Sequence, residues 1–202
     1  MKTFNEFLTE ANRRAQVASK RNPKPQKQPK DTRPKAFVTV GLPGSGKSTL
    51  VKSVRRKDPN TAQAELDQSR KALGKGPAYF GQDLIKHQGE TINKAAEHGH
   101  TIMHTNTSLP KAHRDSAVKD LESKGYNAKA ILLPTSQKAA MRRNRKRPAG
   151  AAPGEGQVPQ FVMNRMANTL KNMSRSERRQ LRKNYKEFKR EYRPTKPNLK
   201  RP

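Results

Sequence analysis

Short apolar runs alternate along the chain with longer segments in which apolar residues recur every three or four positions. The run 36–40 is β-branched, ends at a glycine and predicts a buried strand. Three further runs predict strands, over 62–67, 101–105 and 128–133. Segments with helical spacing predict helices, over 47–57, 81–97, 110–124 and from about 135 to 147. Strands that alternate with helices predict an α/β fold, a parallel sheet flanked by helices.

The C-terminal segment 173–202 predicts a basic helix followed by a tail. Ser174 and Glu177 fit a capping box at the start of this helix. Four apolar or aromatic residues then follow at spacings that place them on one helical face: Leu181, Tyr185, Phe188 and Tyr192. Such a face predicts either a helix docked on the core, the commoner arrangement, or a platform on which nucleobases stack.

The charge of the chain is strongly one-sided and predicts a polyanionic partner. Among 202 residues, 45 are Lys or Arg and 16 are Asp or Glu, which gives a net charge of +29. Nucleic acid is the commonest polyanion that such a protein binds. The stretch 11–35 combines many of these cations with four prolines and a single acid, Asp31, and therefore predicts a disordered basic linker.

Composition also excludes several kinds of site. The chain has no cysteine, so neither disulfides nor thiolate metal sites can form. Apolar residues make up only 30% of the chain, and no apolar run approaches the length that a bilayer requires. We therefore expect a soluble protein with no membrane partner.

The segment 41–49 reads GLPGSGKST and fits the phosphate-binding pattern G-x-x-x-x-G-K-[ST] at every fixed position. It lies between a predicted strand and a predicted helix, where glycines let backbone N–H groups turn toward phosphate oxygens. Lys47 is expected to bind the β- and γ-phosphates of ATP, and the Ser48 hydroxyl is expected to complete the Mg²⁺ shell. The nucleotide-binding candidates are Gly41, Pro43, Gly44, Ser45, Gly46, Lys47, Ser48 and Thr49.

Three more local signatures follow the phosphate-binding loop. They are LDQSR at 66–70, HTN at 104–106 and RNRKR at 143–147. In order and spacing, the four signatures resemble the kinase domain of bacteriophage polynucleotide 5′-kinases of the T-even type. The resemblance covers 36–172, about two thirds of the chain, and implies a P-loop kinase domain that phosphorylates 5′-hydroxyl ends of DNA or RNA.

The resemblance also implies a role for individual residues. Asp67 would be the general base that accepts the proton of the attacking hydroxyl; the alternative is that it caps the following helix. Arg70 would hold the phosphate beside the acceptor sugar, and Thr105 and Asn106 would help to bind the acceptor strand. Two arginines of the lid motif, at the end of the predicted helix, would clamp the ATP phosphates during transfer: Arg143 and Arg147. The Gly- and Pro-rich stretch 148–157 would be the mobile hinge of that lid.

One position departs from the family pattern. The family triplet begins with an acid, and this chain has His104 there. If that acid orders the water shell of the metal, a histidine would weaken Mg²⁺ binding or change its pH dependence. Two alternatives stay open. One is a small-molecule kinase of the zeta-toxin type, which shares the P-loop, the aspartate base and the arginine lid. The other is a packaged, basic DNA-binding protein whose kinase fold has decayed, with His104 as a symptom.

The segment 1–10 resembles the capsid-targeting peptides of internal head proteins in T-even-like phages. Its last three residues, Leu8-Thr9-Glu10, fit the L-x-E cleavage motif, and a prohead protease would cut after Glu10. The resemblance implies phage origin, synthesis in the cytoplasm of a bacterial host and packaging in the virion, with the capsid and its protease as partners. An amphipathic helix that docks through Phe4, Phe7 and Leu8 is the alternative.

Overall fold

A computed structural model describes residues 31–76, 79–148 and 156–192. Four parallel strands form one sheet in the order β2-β3-β1-β4, with bounds β1 Lys35–Val40, β2 Ala62–Ala64, β3 Ile102–His104 and β4 Asn127–Leu132. Strand β1 is central: Val38 lies opposite His104 on β3 and opposite Ala130 on β4. Because all strands point the same way, their carboxyl ends meet at one edge of the sheet.

Seven helices are found in the described residues, all within the unit 33–202. In chain order they are α1 Lys47–Arg55, α2 Leu66–Ala72, α3 Gln82–Glu97, α4 Lys111–Ser123, α5 Gln137–Arg145, α6 Gln160–Lys171 and α7 Arg175–Glu191. The predicted α/β fold with a parallel sheet is confirmed. None of the helices in the described ranges is long and apolar enough to cross a membrane.

Two predicted elements differ from the structure. The strand predicted over 62–67 is a three-residue strand, β2, after which the chain turns at Glu65 and enters α2. Asp67 therefore lies in the first turn of a helix, not at the end of a strand. Helix α6 was not predicted at all, and it contributes Met163 and Ala167 to the core.

The core consists of three clusters that cover both faces of the sheet. One includes Phe37 of β1, with Val51 and Val54 of α1 and Phe188 of α7 around it. Another joins the end of β1 to α5, α6 and α7 through Val40, among other residues. Helix α7 is thus part of the same core as the P-loop region.

The apolar face of α7 is docked on the sheet, which confirms the first interpretation of this helix. Phe188 is only 3% exposed and meets the ring of Phe37 edge-on, with ring centroids 4.8 Å apart. The Asn184 side-chain amide donates a hydrogen bond to the carbonyl oxygen of Ala130 on β4, at 2.9 Å. The predicted N-cap is present, since the Ser174 hydroxyl accepts a hydrogen bond from the backbone N–H of Glu177.

Several predictions concern residues outside the described ranges. They are the targeting peptide 1–10, the linker up to residue 30, the central part of the lid hinge, 149–155, and the tail from residue 193.

Candidate active site

A cavity of about 1130 Å³ opens at the carboxyl edge of the sheet. Its walls come from the segments that follow each of the four strands: the P-loop after β1, 65–70 after β2, 105–107 after β3 and 133–135 after β4. Parts of α5, α6 and α7 close it. In open parallel sheets this edge is where ligands bind.

The P-loop forms one wall of the cavity, and its backbone has conformations that only glycine adopts easily. Gly44 and Gly46 have φ angles of 78° and 95°. A Cβ at Gly44 would also come within 2.7 Å of the Ala140 carbonyl oxygen, so a side chain there would push α5 off the loop. Seven of the eight nucleotide-binding candidates line the cavity: Pro43, Gly44, Ser45, Gly46, Lys47, Ser48 and Thr49. The eighth, Gly41, lies behind the loop, where its N–H donates to the Thr107 carbonyl at 3.2 Å.

Lys47 begins α1 and is folded back onto the loop. Its Nζ donates to the carbonyl oxygens of Gly41 and Leu42, at 3.2 and 3.1 Å. The pKa of Lys47 is lowered to about 8, chiefly by burial and in smaller part by the charge of Arg147, whereas the charges of Glu65 and Asp67 oppose the shift. A phosphate group in the cavity would favour the charged form of this amine.

Asp67 and Arg70 form an ion pair across one turn of α2, and both line the cavity. Their side chains are 34% and 14% exposed, so the carboxylate remains accessible while the guanidinium is largely enclosed. Arg70 Nε also donates to the Tyr79 carbonyl oxygen at 2.8 Å. The guanidinium is therefore held in a fixed position beside the predicted general base.

Glu65 is a site residue that the sequence analysis missed. It lines the cavity two residues before Asp67, and its Oε2 accepts a hydrogen bond from the Gln63 amide at 2.6 Å. Burial raises the pKa of the Glu65 carboxyl, and the charge of Asp67 raises it too, whereas Lys47 and a hydrogen bond from Thr105 lower it. The sequence could have revealed Glu65, because an acid directly after β2 must lie at the same edge of the sheet as Asp67.

The predicted substrate-binding residues Thr105 and Asn106 both line the cavity. The Asn106 side-chain oxygen accepts a hydrogen bond from the backbone N–H of Leu66, at 3.1 Å. The N-cap residue of α2 makes no side-chain cap bond, so Asn106 satisfies one of the first N–H groups of that helix. Asn106 thereby connects the end of β3 to the helix that carries Asp67.

His104 does not line the cavity. It is 8% exposed, its Nε2 lies 3.3 Å from the Asn106 amide nitrogen, and its Nδ1 is buried without a hydrogen-bond partner among the described residues. Burial lowers the pKa of His104 to about 4, so the ring is neutral near pH 7. The expectation that a histidine at this position weakens Mg²⁺ binding or changes its pH dependence stays a prediction. Glu65, directly after the neighbouring strand β2, does line the cavity.

The lid arginines approach the phosphate-binding loop from α5. Arg143 Nη1 lies 3.4 Å from the Gly44 carbonyl oxygen, and both Arg143 and Arg147 line the cavity. Between them Asn144, 1% exposed, donates to the Val158 carbonyl at 2.7 Å and accepts from the Val158 N–H at 3.0 Å. This residue pair joins α5 to the segment that leads into α6.

The donor atoms of the cavity suit Mg²⁺. The Ser48 hydroxyl and the carboxylates of Glu65 and Asp67 are hard oxygen ligands in one cavity. Within the described ranges, no group of three or more His, Cys, Asp or Glu side chains could hold a metal ion. In P-loop proteins the loop hydroxyl and the phosphate oxygens hold Mg²⁺, so Ser48 is the residue that would bind the ion here.

Comparisons with known proteins agree with this fold. The sequence profile of a family described as AAA domain matches residues 37–173. A chain of the Pnkp1/Rnl/Hen1 RNA repair complex is similar in structure, with a TM-score of 0.57 and 19% identity. That match covers 68% of this chain and 44% of the other, so it spans less than half the length of that relative. At 19% identity, this structural similarity establishes the fold and nothing about the activity.

Two further solved structures are more distant. The Deinococcus radiodurans tunicamycin resistance protein has a TM-score of 0.48 and 16% identity, over 69% of this chain and 82% of that one. The Mycobacterium tuberculosis APS kinase, in complex with AMPPNP and APS, has a TM-score of 0.42 and 20% identity, over 69% and 99%. No curated protein sequence matches the chain. The fold is that of P-loop kinases, which implies ATP and typically Mg²⁺.

Proposed function

We propose, from the premise that the chain belongs to the AAA domain family, that it transfers the γ-phosphoryl group of ATP to the 5′-hydroxyl end of a polynucleotide, DNA or RNA. The observation that carries this proposal is that one cavity holds both halves of such a site. Lys47 and the P-loop form the donor half, and the ion pair of Asp67 and Arg70 forms the acceptor half.

In the proposed reaction the 5′-oxygen attacks the γ-phosphorus of ATP. The bond from that oxygen to phosphorus forms, and the bond between the β,γ-bridging oxygen and the γ-phosphorus breaks. Asp67 accepts the proton of the hydroxyl, and ADP leaves with the electron pair of the broken bond. Mg²⁺, when bound, neutralises charge on the β- and γ-phosphates.

Two sets of cations serve the transfer in this proposal. The first set stabilises the negative charge of the phosphoryl group during its transfer, and it consists of Lys47, Arg143 and Arg147. All three belong to the same chain that binds ATP. Arg70 binds the acceptor phosphate, and its hydrogen bond to the Tyr79 carbonyl sets its orientation. Glu65 favours the charged form of Lys47, since its own charge raises the pKa of that amine.

Charge supports a polynucleotide rather than a small acceptor. The net charge is +29, and exposed cations cover the outer surface of α7, including Arg179, Arg182, Lys183 and Lys186. A small acceptor needs no extended cationic surface, whereas phosphate backbones bind one through counterion release. This argument favours the polynucleotide over the sugar nucleotide that a zeta-toxin-type kinase would phosphorylate.

One assay tests the proposal. The protein is incubated with γ-labelled ATP, Mg²⁺ and oligonucleotides with 5′-hydroxyl ends, in parallel with UDP-N-acetylglucosamine. We expect label on the oligonucleotide, lost in Asp67→Ala while ATP binding is retained, and kept in the control Asp115→Ala, which removes an exposed carboxylate of α4. Label on the sugar nucleotide would indicate a small-molecule kinase. No label on either acceptor would indicate a basic nucleic-acid-binding protein without kinase activity.

A further inference from the structure

Helix α7 lies beyond the segment that the family profile matches, yet it contributes a side chain to the cavity. The profile ends at residue 173, and α7 begins at Arg175. Tyr185, in the middle of this helix, lines the cavity together with the P-loop. The family match therefore does not account for this part of the wall.

The position of Tyr185 is fixed by its neighbours. One residue earlier, Asn184 is hydrogen-bonded to the backbone of β4, and one turn later Phe188 is buried against Phe37. The rings of Tyr185 and Phe188 are stacked, with centroids 6.1 Å apart. Leu50 of α1, which also lines the cavity, belongs to the same cluster as Tyr185. The phenol ring is thus held between α1 and the edge strand, and it is half-buried there.

The strand order places Tyr185 on the donor side of the cavity. In the order β2-β3-β1-β4, the candidate acceptor residues follow β2 and β3, and the P-loop follows β1. Tyr185 is carried by a helix packed beside β4, on the far side of the P-loop from Asp67. When the P-loop binds a triphosphate with its γ-phosphate toward Asp67, the nucleoside must extend the other way.

We propose that Tyr185 forms one wall of the subsite for the base and ribose of the donor nucleotide. An aromatic ring at this place offers a flat apolar surface to a purine, which itself has two flat faces. Helix α7 then belongs to the nucleotide-binding machinery as well as to the core. This inference rests on the proposed function in one respect, that a nucleoside triphosphate is the phosphoryl donor.

The test compares ligands with and without a base. Dissociation constants of ATP and of inorganic tripolyphosphate are measured with Mg²⁺ by calorimetry for the full chain and for Tyr185→Ala, Tyr185→Leu and Tyr185→Phe. We expect Tyr185→Ala to weaken ATP binding about tenfold, with tripolyphosphate binding unchanged, and Tyr185→Phe to retain the affinity of the unmodified protein. Tyr185→Leu keeps apolar volume in the cluster and should lose ATP affinity while it preserves the fold.

Tyr192 provides the matched control. It lies two turns along the same face, stacks on Phe188 with centroids 5.0 Å apart, and does not line the cavity. Tyr192→Ala should lower the thermal stability and leave both dissociation constants unchanged. Equal losses for ATP and tripolyphosphate in Tyr185→Ala, or no loss for either in any Tyr185 variant, would overturn the proposal.

Fluorescence gives a second readout, because the chain contains no tryptophan. Tyr185→Trp therefore carries a single tryptophan, at the proposed subsite, and the emission of this tryptophan should change on addition of ATP and stay constant with tripolyphosphate. If these binding patterns hold while no oligonucleotide is labelled, only the proposed acceptor is wrong. If oligonucleotides are labelled while Tyr185→Ala binds ATP normally, only the inference about Tyr185 is wrong.

Discussion

Arg114 on α4 and Glu177 on α7 form an ion pair inside the protein, with side chains 3% and 20% exposed. Arg114 also donates to the carbonyl oxygens of Ser108 and Leu109, so the pair joins the first turn of α7 to the loop after β3. The sequence pattern assigned Glu177 to a capping box. Only the Ser174 half of that box is used, because the Glu177 carboxylate binds Arg114 instead.

Removal of Glu177 should be strongly destabilising. Glu177→Ala leaves the Arg114 guanidinium buried without its counter-charge, and we expect the free energy of unfolding to fall by about 3 kcal/mol. Chemical denaturation followed by circular dichroism measures this change. Glu187→Ala is the control, since its partner Lys129 and Glu187 itself are 42% and 40% exposed, and its effect should stay below about 1 kcal/mol. Similar losses in the two variants would contradict the role assigned to the buried pair.

The affinity for ATP should fall at alkaline pH. The pKa of Lys47 is about 8 in the free protein, and a bound triphosphate raises it, so binding is coupled to proton uptake above pH 8. We expect a constant contribution of Lys47 below that pH and a loss of up to about tenfold per pH unit above it. Calorimetric titrations between pH 6.5 and 9.5, in buffers of different ionisation enthalpy, measure both the affinity and the proton uptake. Lys47→Met should bind weakly at every pH and lack this decline.

Glu65→Gln should shift that decline to lower pH. The negative charge of Glu65 raises the pKa of Lys47, so its removal lets burial and Arg147 lower the pKa further. The midpoint of the alkaline loss of ATP affinity should therefore lie below that of the unmodified protein. Glu97→Gln, an exposed residue at the end of α3, should leave the midpoint in place. A midpoint that moves upward in Glu65→Gln would refute the electrostatic coupling.

Lys47 and Tyr185 show which parts of the candidate site can be predicted from the sequence and which cannot. The residues around Lys47 were predicted because phosphate binding needs glycines, a cation and a hydroxyl at fixed spacing within nine consecutive residues. The proposed role of Tyr185 depends on how α7 docks beside β4, and no local pattern encodes that contact. Glu65 is intermediate, since its place after a strand was visible but its burial beside Lys47 was not.

The elements of the fold also differ in how well the sequence predicts them. Strands β1, β3 and β4 were predicted within one or two residues, because each is an apolar run bounded by polar residues. Helix α6 was missed although Met163, Met166 and Ala167 recur at helical spacing. Its first apolar residue, Phe161, is 72% exposed, so the apolar pattern begins out of phase with the buried face.

Cations of α7 should control nucleic-acid affinity, and substitution is the way to test them. Deletion of 174–202 would also remove Leu181 and Phe188 from the core, so unfolding would obscure any effect of charge. Four exposed cations are exchanged together for glutamine: Arg179, Arg182, Lys183 and Lys186. If each contacts a phosphate, the slope of log affinity for single strands against log salt should flatten by about 3.

The control for this experiment removes the same charge from other surfaces. Four cations on α1, α3 and α4 or just beyond them are also exposed: Arg56, Lys86, Lys94 and Lys119. Their exchange for glutamine should change the slope much less. Equal slopes in the two quadruple variants would mean that only total charge matters and that α7 is not the contact surface.

The hydrogen bond from Asn184 to Ala130 has a consequence beyond this molecule. Within the described part of the chain, β4 is the last strand on its side of the sheet, and an open edge strand can pair with a strand from a neighbouring molecule. Because α7 packs against this strand, with Asn184 bound to the Ala130 carbonyl, we expect it to hinder β-type self-association there. Changes that loosen α7 should therefore favour aggregation before they abolish the remaining fold.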